Sequence, residues 1–80
     1  MSEAAPEALS SLPIGQRGRV VALDLPPEQR QRLLEMGLTI GVDFQVVRYA
    51  PLGDPLEIKV RGYNLSLRKI DAACIRVVRC

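Results

Sequence analysis

Apolar and polar positions alternate through three consecutive stretches in the middle of the chain. Val42, Phe44 and Val46 alternate with Asp43, Gln45 and Val47. Leu56, Ile58 and Val60 then alternate with Glu57, Lys59 and Arg61, and Leu65 and Leu67 with Ser66 and Arg68. The breaks between them, 50–55 (Ala-Pro-Leu-Gly-Asp-Pro) and 62–64 (Gly-Tyr-Asn), are made of turn-forming residues. Period-two alternation bounded by such residues predicts half-buried antiparallel strands in a meander.

The flanks supply what covers this meander. Residues 1–8 read as a flexible polar lead, and 9–80 as a single domain. Leu9 and Leu12, three apart, fit one helical turn that Pro13 ends. A first strand is expected over 19–24, with a less regular alternation. A short helix follows over 26–36, with Asp24 as the expected N-cap, Pro26 and Pro27 in the first turn, and Glu28 placed to pair with Arg32. Gly37 suits a left-handed C-cap, with Leu38 as its apolar contact. Residues 68–73 read as one tight turn, and Ile75 and Val77 alternate with Arg76 and Val78 in a last strand. Five short strands in so short a chain favour an all-β small barrel, with one short helix between the first strand and the meander.

Eighty residues leave room for one core, and 48% hydrophobic content is enough to pack it. Phe44, Tyr49 and Tyr63 are the only aromatics, so the core must be aliphatic. The net charge of +2 is unevenly spread. Residues 61–80 hold five cations against Asp71 alone, a balance of +4 that leaves −2 for the first sixty. A basic patch attracts nucleic acid, anionic lipid or acidic protein, although few aromatics are available for stacking on single strands.

Catalytic groups are scarce. The chain has no histidine, which removes the commonest general base and triad member. Asp54 lies near Glu57, but between Gly53 and Pro55 an Asx-turn bond accounts for it. Cys74 and Cys80 match no zinc or iron–sulfur spacing, and Gly15-Gln-Arg-Gly18 lacks the Gly-Lys-Ser/Thr ending of a phosphate loop. No catalytic residue, metal site or cofactor is therefore expected. Neither a secretory leader nor a membrane span is visible, and a cytoplasmic protein is the expectation.

The ordered set 32–38 (Arg-Leu-Leu-Glu-Met-Gly-Leu), Gly41, 50–55, 58–62 (Ile-Lys-Val-Arg-Gly), 65–68 (Leu-Ser-Leu-Arg), Asp71-Ala72 and 75–77 (Ile-Arg-Val) resembles the ferrous iron transport protein A (FeoA) family. The resemblance runs from about residue 9 to 78; Ser66 stands where alanine is common. It implies an SH3-like barrel that acts in bacterial ferrous iron uptake as an accessory to the FeoB membrane transporter, which carries a GTP-binding domain. The protein would then sit at the inner membrane only through that partner. The same barrel occurs in metal-dependent repressors. An SH3-like module of such a regulator, or a small basic barrel binding nucleic acid, is accordingly the alternative.

What remains for function is a binding surface. The connection 49–56 holds a proline on each side of Leu-Gly-Asp, so Leu52 sits on a stiff tip. An apolar residue there is either a docking anchor or a lid folded back on the barrel. Tyr49, Pro51, Leu52, Asp54, Arg61 and Tyr63 are the candidate partner-binding residues, with the two tyrosines flanking one barrel end or engaged in ordinary packing. A weak homo-oligomer stays open, and nucleic acid is not the expected partner.

Overall fold

The computed structural model describes residues 5–80. Six strands form one antiparallel sheet: β1 (Glu7–Ala8), β2 (Arg17–Leu23), β3 (Asp43–Tyr49), β4 (Leu56–Val60), β5 (Tyr63–Leu67) and β6 (Ile75–Arg79), in the spatial order β1-β6-β2-β3-β4-β5. A 3-10 turn (Leu9–Ser11), helix α1 (Pro27–Glu35) and the four-residue helix α2 (Lys69–Ala72) connect them. The sheet is curled around one core, and its hydrogen bonding stops at β1 and β5 without a ladder joining them among the described residues.

The three central strands pair as their alternation requires. Val46 faces Ile58, and Ile58 faces Leu65, so their side chains meet on the inner face. Leu56, Ile58 and Val60 of β4 are fully buried, as are Leu9, Leu12 and Leu38, which close the core from outside the sheet. A buried leucine or isoleucine of this kind contributes roughly 1.5–3 kcal/mol from removal of its surface from water.

Two strands change phase midway. The register of β2 on β6 slips between Val20 and Ala22, and that of β3 on β4 slips between Val46 and Arg48. Each slip is a bulge, with Val21 or Val47 as the extra residue. Burial follows the slip: in β2 it passes from Gly18 and Val20 to Leu23, and in β3 from Phe44 and Val46 to the partly buried Tyr49. Without the bulge, Arg48 would point into the core.

Several expectations are corrected. Of the polar lead, residues 1–4 lie outside the described residues, while Glu7–Ala8 pair with Val77 and Arg76, giving six strands where five were expected. Glu7 makes that short strand possible, because its carboxylate accepts two hydrogen bonds from Arg79 at 2.9 and 3.2 Å. The residue before α1 is Pro26, and Asp24 does not cap the helix. Asp24 instead donates its backbone N–H to the Cys74 carbonyl and pairs through its carboxylate with Arg76 at 3.4 Å. On α1, Gln31 bonds Glu35 across one turn, and the described ion pairs include none between Glu28 and Arg32.

The other end of α1 forms as its sequence demands. Gly37 has φ +97°, the Leu38 N–H reaches the Leu33 carbonyl, and the Gly37 N–H reaches Leu34, all at 3.0 Å. This six-to-one, five-to-two pair is the Schellman arrangement that a Gly-Leu ending predicts.

Candidate functional site

The 50–55 loop is short and internally tied. The Gly53 N–H donates to the Ala50 carbonyl at 2.7 Å, and the Ala50 N–H donates to the Pro55 carbonyl at 2.9 Å. A third tie comes from outside. Asp54 Oδ1 accepts the backbone N–H of Lys69, the first residue of α2, at 3.0 Å. The expected local Asx turn is thus replaced by a cap on a helix fifteen residues away, which clamps the loop to α2.

Leu52 stands on the tip of this clamped loop and is 95% exposed, so it does not fold back over the barrel. Ile70 of α2 is 71% exposed and follows Lys69, whose N–H makes the Asp54 contact and whose ammonium lies beside Gly53. Two large exposed apolar side chains thus stand on elements tied together by the Asp54–Lys69 contact, and Arg68 and Lys69 precede Ile70 in sequence. A depression of about 170 Å³, lined in part by Tyr49, Pro51 and Pro55, lies behind the tip. Sequence reasoning missed Ile70 because it was read only as part of a turn. The signal available was an isoleucine between Lys69 and Asp71, where a solvent-facing turn is usually polar throughout.

The six candidate residues do not form one surface. Tyr49, Pro51, Leu52 and Asp54 lie at the loop end, where Tyr49 pairs with Leu56. Tyr63 pairs with Val60 at the far end of β4, and Arg61 is in the turn beside it. The tyrosines therefore stand at opposite ends of the meander, and each is occupied. The Tyr49 hydroxyl donates toward the carbonyls of Leu12 and Ser10, pinning the N-terminal turn, and burial raises its pKa, which favours the neutral donor. The Tyr63 hydroxyl donates to the Met36 carbonyl at the end of α1, directly over Gly37, where any Cβ would collide with it. Arg61 reaches Thr39 at 3.2 Å.

The basic balance of residues 61–80 is also dispersed. Arg76 and Arg79 are engaged by Asp24 and Glu7, while Arg68 and Lys69 adjoin the loop end and Arg61 the other. The two cysteines are free thiols, with Cys74 packed on the core and Cys80 exposed. Among the described residues, no three of His, Cys, Asp and Glu converge as metal ligands.

Residues 8–79 match the family model of the FeoA domain. The chain belongs to the FeoA family. It is 42% identical over 69 residues to the Fe(2+) transport protein A/Fe(2+) transporter FeoB fusion protein of Porphyromonas gingivalis, an alignment that spans 86% of this chain and 8% of that relative's length. The solution structure of FeoA from Chlorobium tepidum superposes with a TM-score of 0.86 at 39% identity, covering 90% of this chain and 69% of that one. FeoA from Stenotrophomonas maltophilia, solved with zinc and described as a prokaryotic SH3 domain protein, gives a TM-score of 0.72 at 30% identity over 88% of this chain and 87% of that one. The fold is accordingly the SH3-like one expected from the sequence, and membership links the chain to ferrous iron transport. Among the described residues, no helix is long and apolar enough to cross a membrane.

Proposed function

We propose that the chain is a non-catalytic cytoplasmic accessory of ferrous iron uptake that binds a FeoB-type transporter at its cytosolic GTP-binding region and regulates it. The existence of a relative in which the two parts are fused supports the partner, since fusion holds together modules that work together. The docking element in this reading is the clamped loop. The observation that carries it is Leu52, 95% exposed on a loop held by three hydrogen bonds. A pre-ordered apolar tip binds without a large ordering cost, which is how a small surface reaches useful affinity.

Full burial of a leucine side chain is worth roughly 1.5–3 kcal/mol, a factor of about 10–100 in affinity. Titration of the isolated GTP-binding region of a FeoB-type transporter with wild type and Leu52→Asp tests the reading. The variant should bind at least about tenfold more weakly, with an unchanged melting temperature, because Leu52 touches no core residue. Equal binding by the two proteins would remove the loop from the account.

A further inference from the structure

The outer face of β2, β3 and β4 carries a second feature, unconnected with the loop. Arg17 faces Gln45 across one strand boundary, and Gln45 faces Lys59 across the next. Alongside this row, Arg19 faces Asp43, and Arg61 follows Val60, the partner of Phe44. These side chains, together with Gly18, Phe44, Gly62 and Cys80, line a cleft of about 440 Å³. The side chains lining it comprise four cations and one carboxylate.

The charges inside the cleft are mostly unmatched, unlike those of the three other strand arginines. Arg48, Arg76 and Arg79 each have a carboxylate partner on a neighbouring strand or turn. In the cleft the one side-chain carboxylate, Asp43, is taken by Arg19 at 2.9 Å, and Cys80 at the edge adds a weaker anionic influence on the same arginine. Arg17, Lys59 and Arg61 form no ion pair among the described residues, and Arg61 has only the Thr39 hydroxyl. Gln45 does not fill the gap between Arg17 and Lys59, because its amide is drawn aside to the Gly15 carbonyl at 3.2 Å. Two strand spacings separate Arg17 from Lys59, about 10 Å at the backbone. Both long side chains can therefore close on one group held over Gln45.

We propose that this cleft is an anion site that takes the phosphate of a small phosphorylated molecule or of a lipid headgroup. Guanidinium groups bind phosphate through paired N–H donors, and an ammonium adds a compact charge. Here Arg17 and Arg61 supply the forks and Lys59 the point charge. An acidic protein partner would need contacts well beyond this cleft, since a standard interface covers roughly 800 Å² on each side.

The test is a pair of titrations followed by backbone amide shifts in the full chain. One uses inorganic pyrophosphate, and the other uses vesicles of phosphatidylglycerol with phosphatidylcholine vesicles as control. Saturable shifts confined to β2, β3 and β4 are expected with one probe, and the probe that produces them identifies the source. Arg17→Gln and Lys59→Gln, both exposed strand positions, should each weaken binding about tenfold, and rising salt should weaken it further. Leu52→Asp should leave it unchanged, so failure here and failure of the docking reading are separable. Absence of saturation with both probes, or binding indifferent to both substitutions, would overturn the assignment.

Discussion

Asp54→Ala is the most informative single change, because it removes one acceptor from a contact that joins two elements. In α2 the Asp71 and Ala72 amides both reach the Arg68 carbonyl at 3.0 Å, and Lys69 depends on Asp54 Oδ1. Loss of a capping acceptor costs about 1 kcal/mol, within a range of roughly 0.5–2. For a domain of this size that lowers Tm by about 4–8 °C. Urea unfolding followed by far-UV circular dichroism measures the loss, and hydrogen exchange at the Lys69 amide locates it. Asp54→Asn keeps the oxygen in place and should recover most of the stability. It should also keep the affinity for the GTP-binding region that Asp54→Ala weakens by freeing the loop. An alanine variant as stable as wild type would refute the clamp. An asparagine variant as damaged as the alanine one would show that charge matters and the acceptor does not.

Two further outcomes follow from contacts at the other edges of the sheet. Gly37→Ala should cost about 2–3 kcal/mol, combining roughly 1–2 for an alanine at positive φ with about 1 for displacing the Tyr63 hydroxyl from Met36. In a Tyr63→Phe background the same substitution should cost only the backbone share, and full additivity in chemical denaturation would contradict the collision. The hydrogen bond from Arg79, helped by Ser11, lowers the pKa of Glu7, so the folded carboxyl titrates below its unfolded value. Its contribution is therefore present above the ordinary carboxylate range and is lost as pH falls through the lowered pKa. Amide exchange in β1 should accelerate on acidification, and Glu7→Gln should remove that pH dependence; an unaltered profile would exclude the pair as its cause.

Five of the six strands, the helix and its glycine cap were legible because each is set by residues adjacent in sequence, whereas β1 depends on the distant Arg79 and β6. Leu33, Leu34, Gly37 and Leu38 specify the end of α1 without help from elsewhere. The bulges were legible only as blemishes. Val21 and Val47 are apolar residues in positions that strict alternation reserves for polar ones, and each marks where a strand changes phase. Without the second, the sequence leaves Tyr49 open between a barrel-end surface and ordinary packing, whereas its hydroxyl points to the Leu12 carbonyl. Asp54, Tyr63 and Asp24 were misplaced for a different reason. Their partners, Lys69, Met36 and Arg76, are distant in sequence, and local turn or cap chemistry explained each residue well enough to hide the real contact. The cleft was obscured likewise: Arg17 and Arg19 come from β2, Lys59 from β4 and Arg61 from the turn after it, and a charge balance split at residue 60 sets Arg61 apart from the other three.

The length of β4 has a consequence for how many things this small domain can hold. Four residue steps separate Leu56, where the 50–55 loop ends, from Val60, beside Arg61. At about 3.3 Å per residue that is a spacer of roughly 13 Å. Occupancy at one end need not exclude occupancy at the other. Two weak attachments on one rigid body combine as avidity, the second forming at the local concentration set by the first, often a gain of about 10²–10⁴ over either alone. Shortening β4 and its neighbours by a residue pair would keep every side chain on its own face, yet bring the two attachments about 7 Å closer and alter which pairs of ligands can be held together.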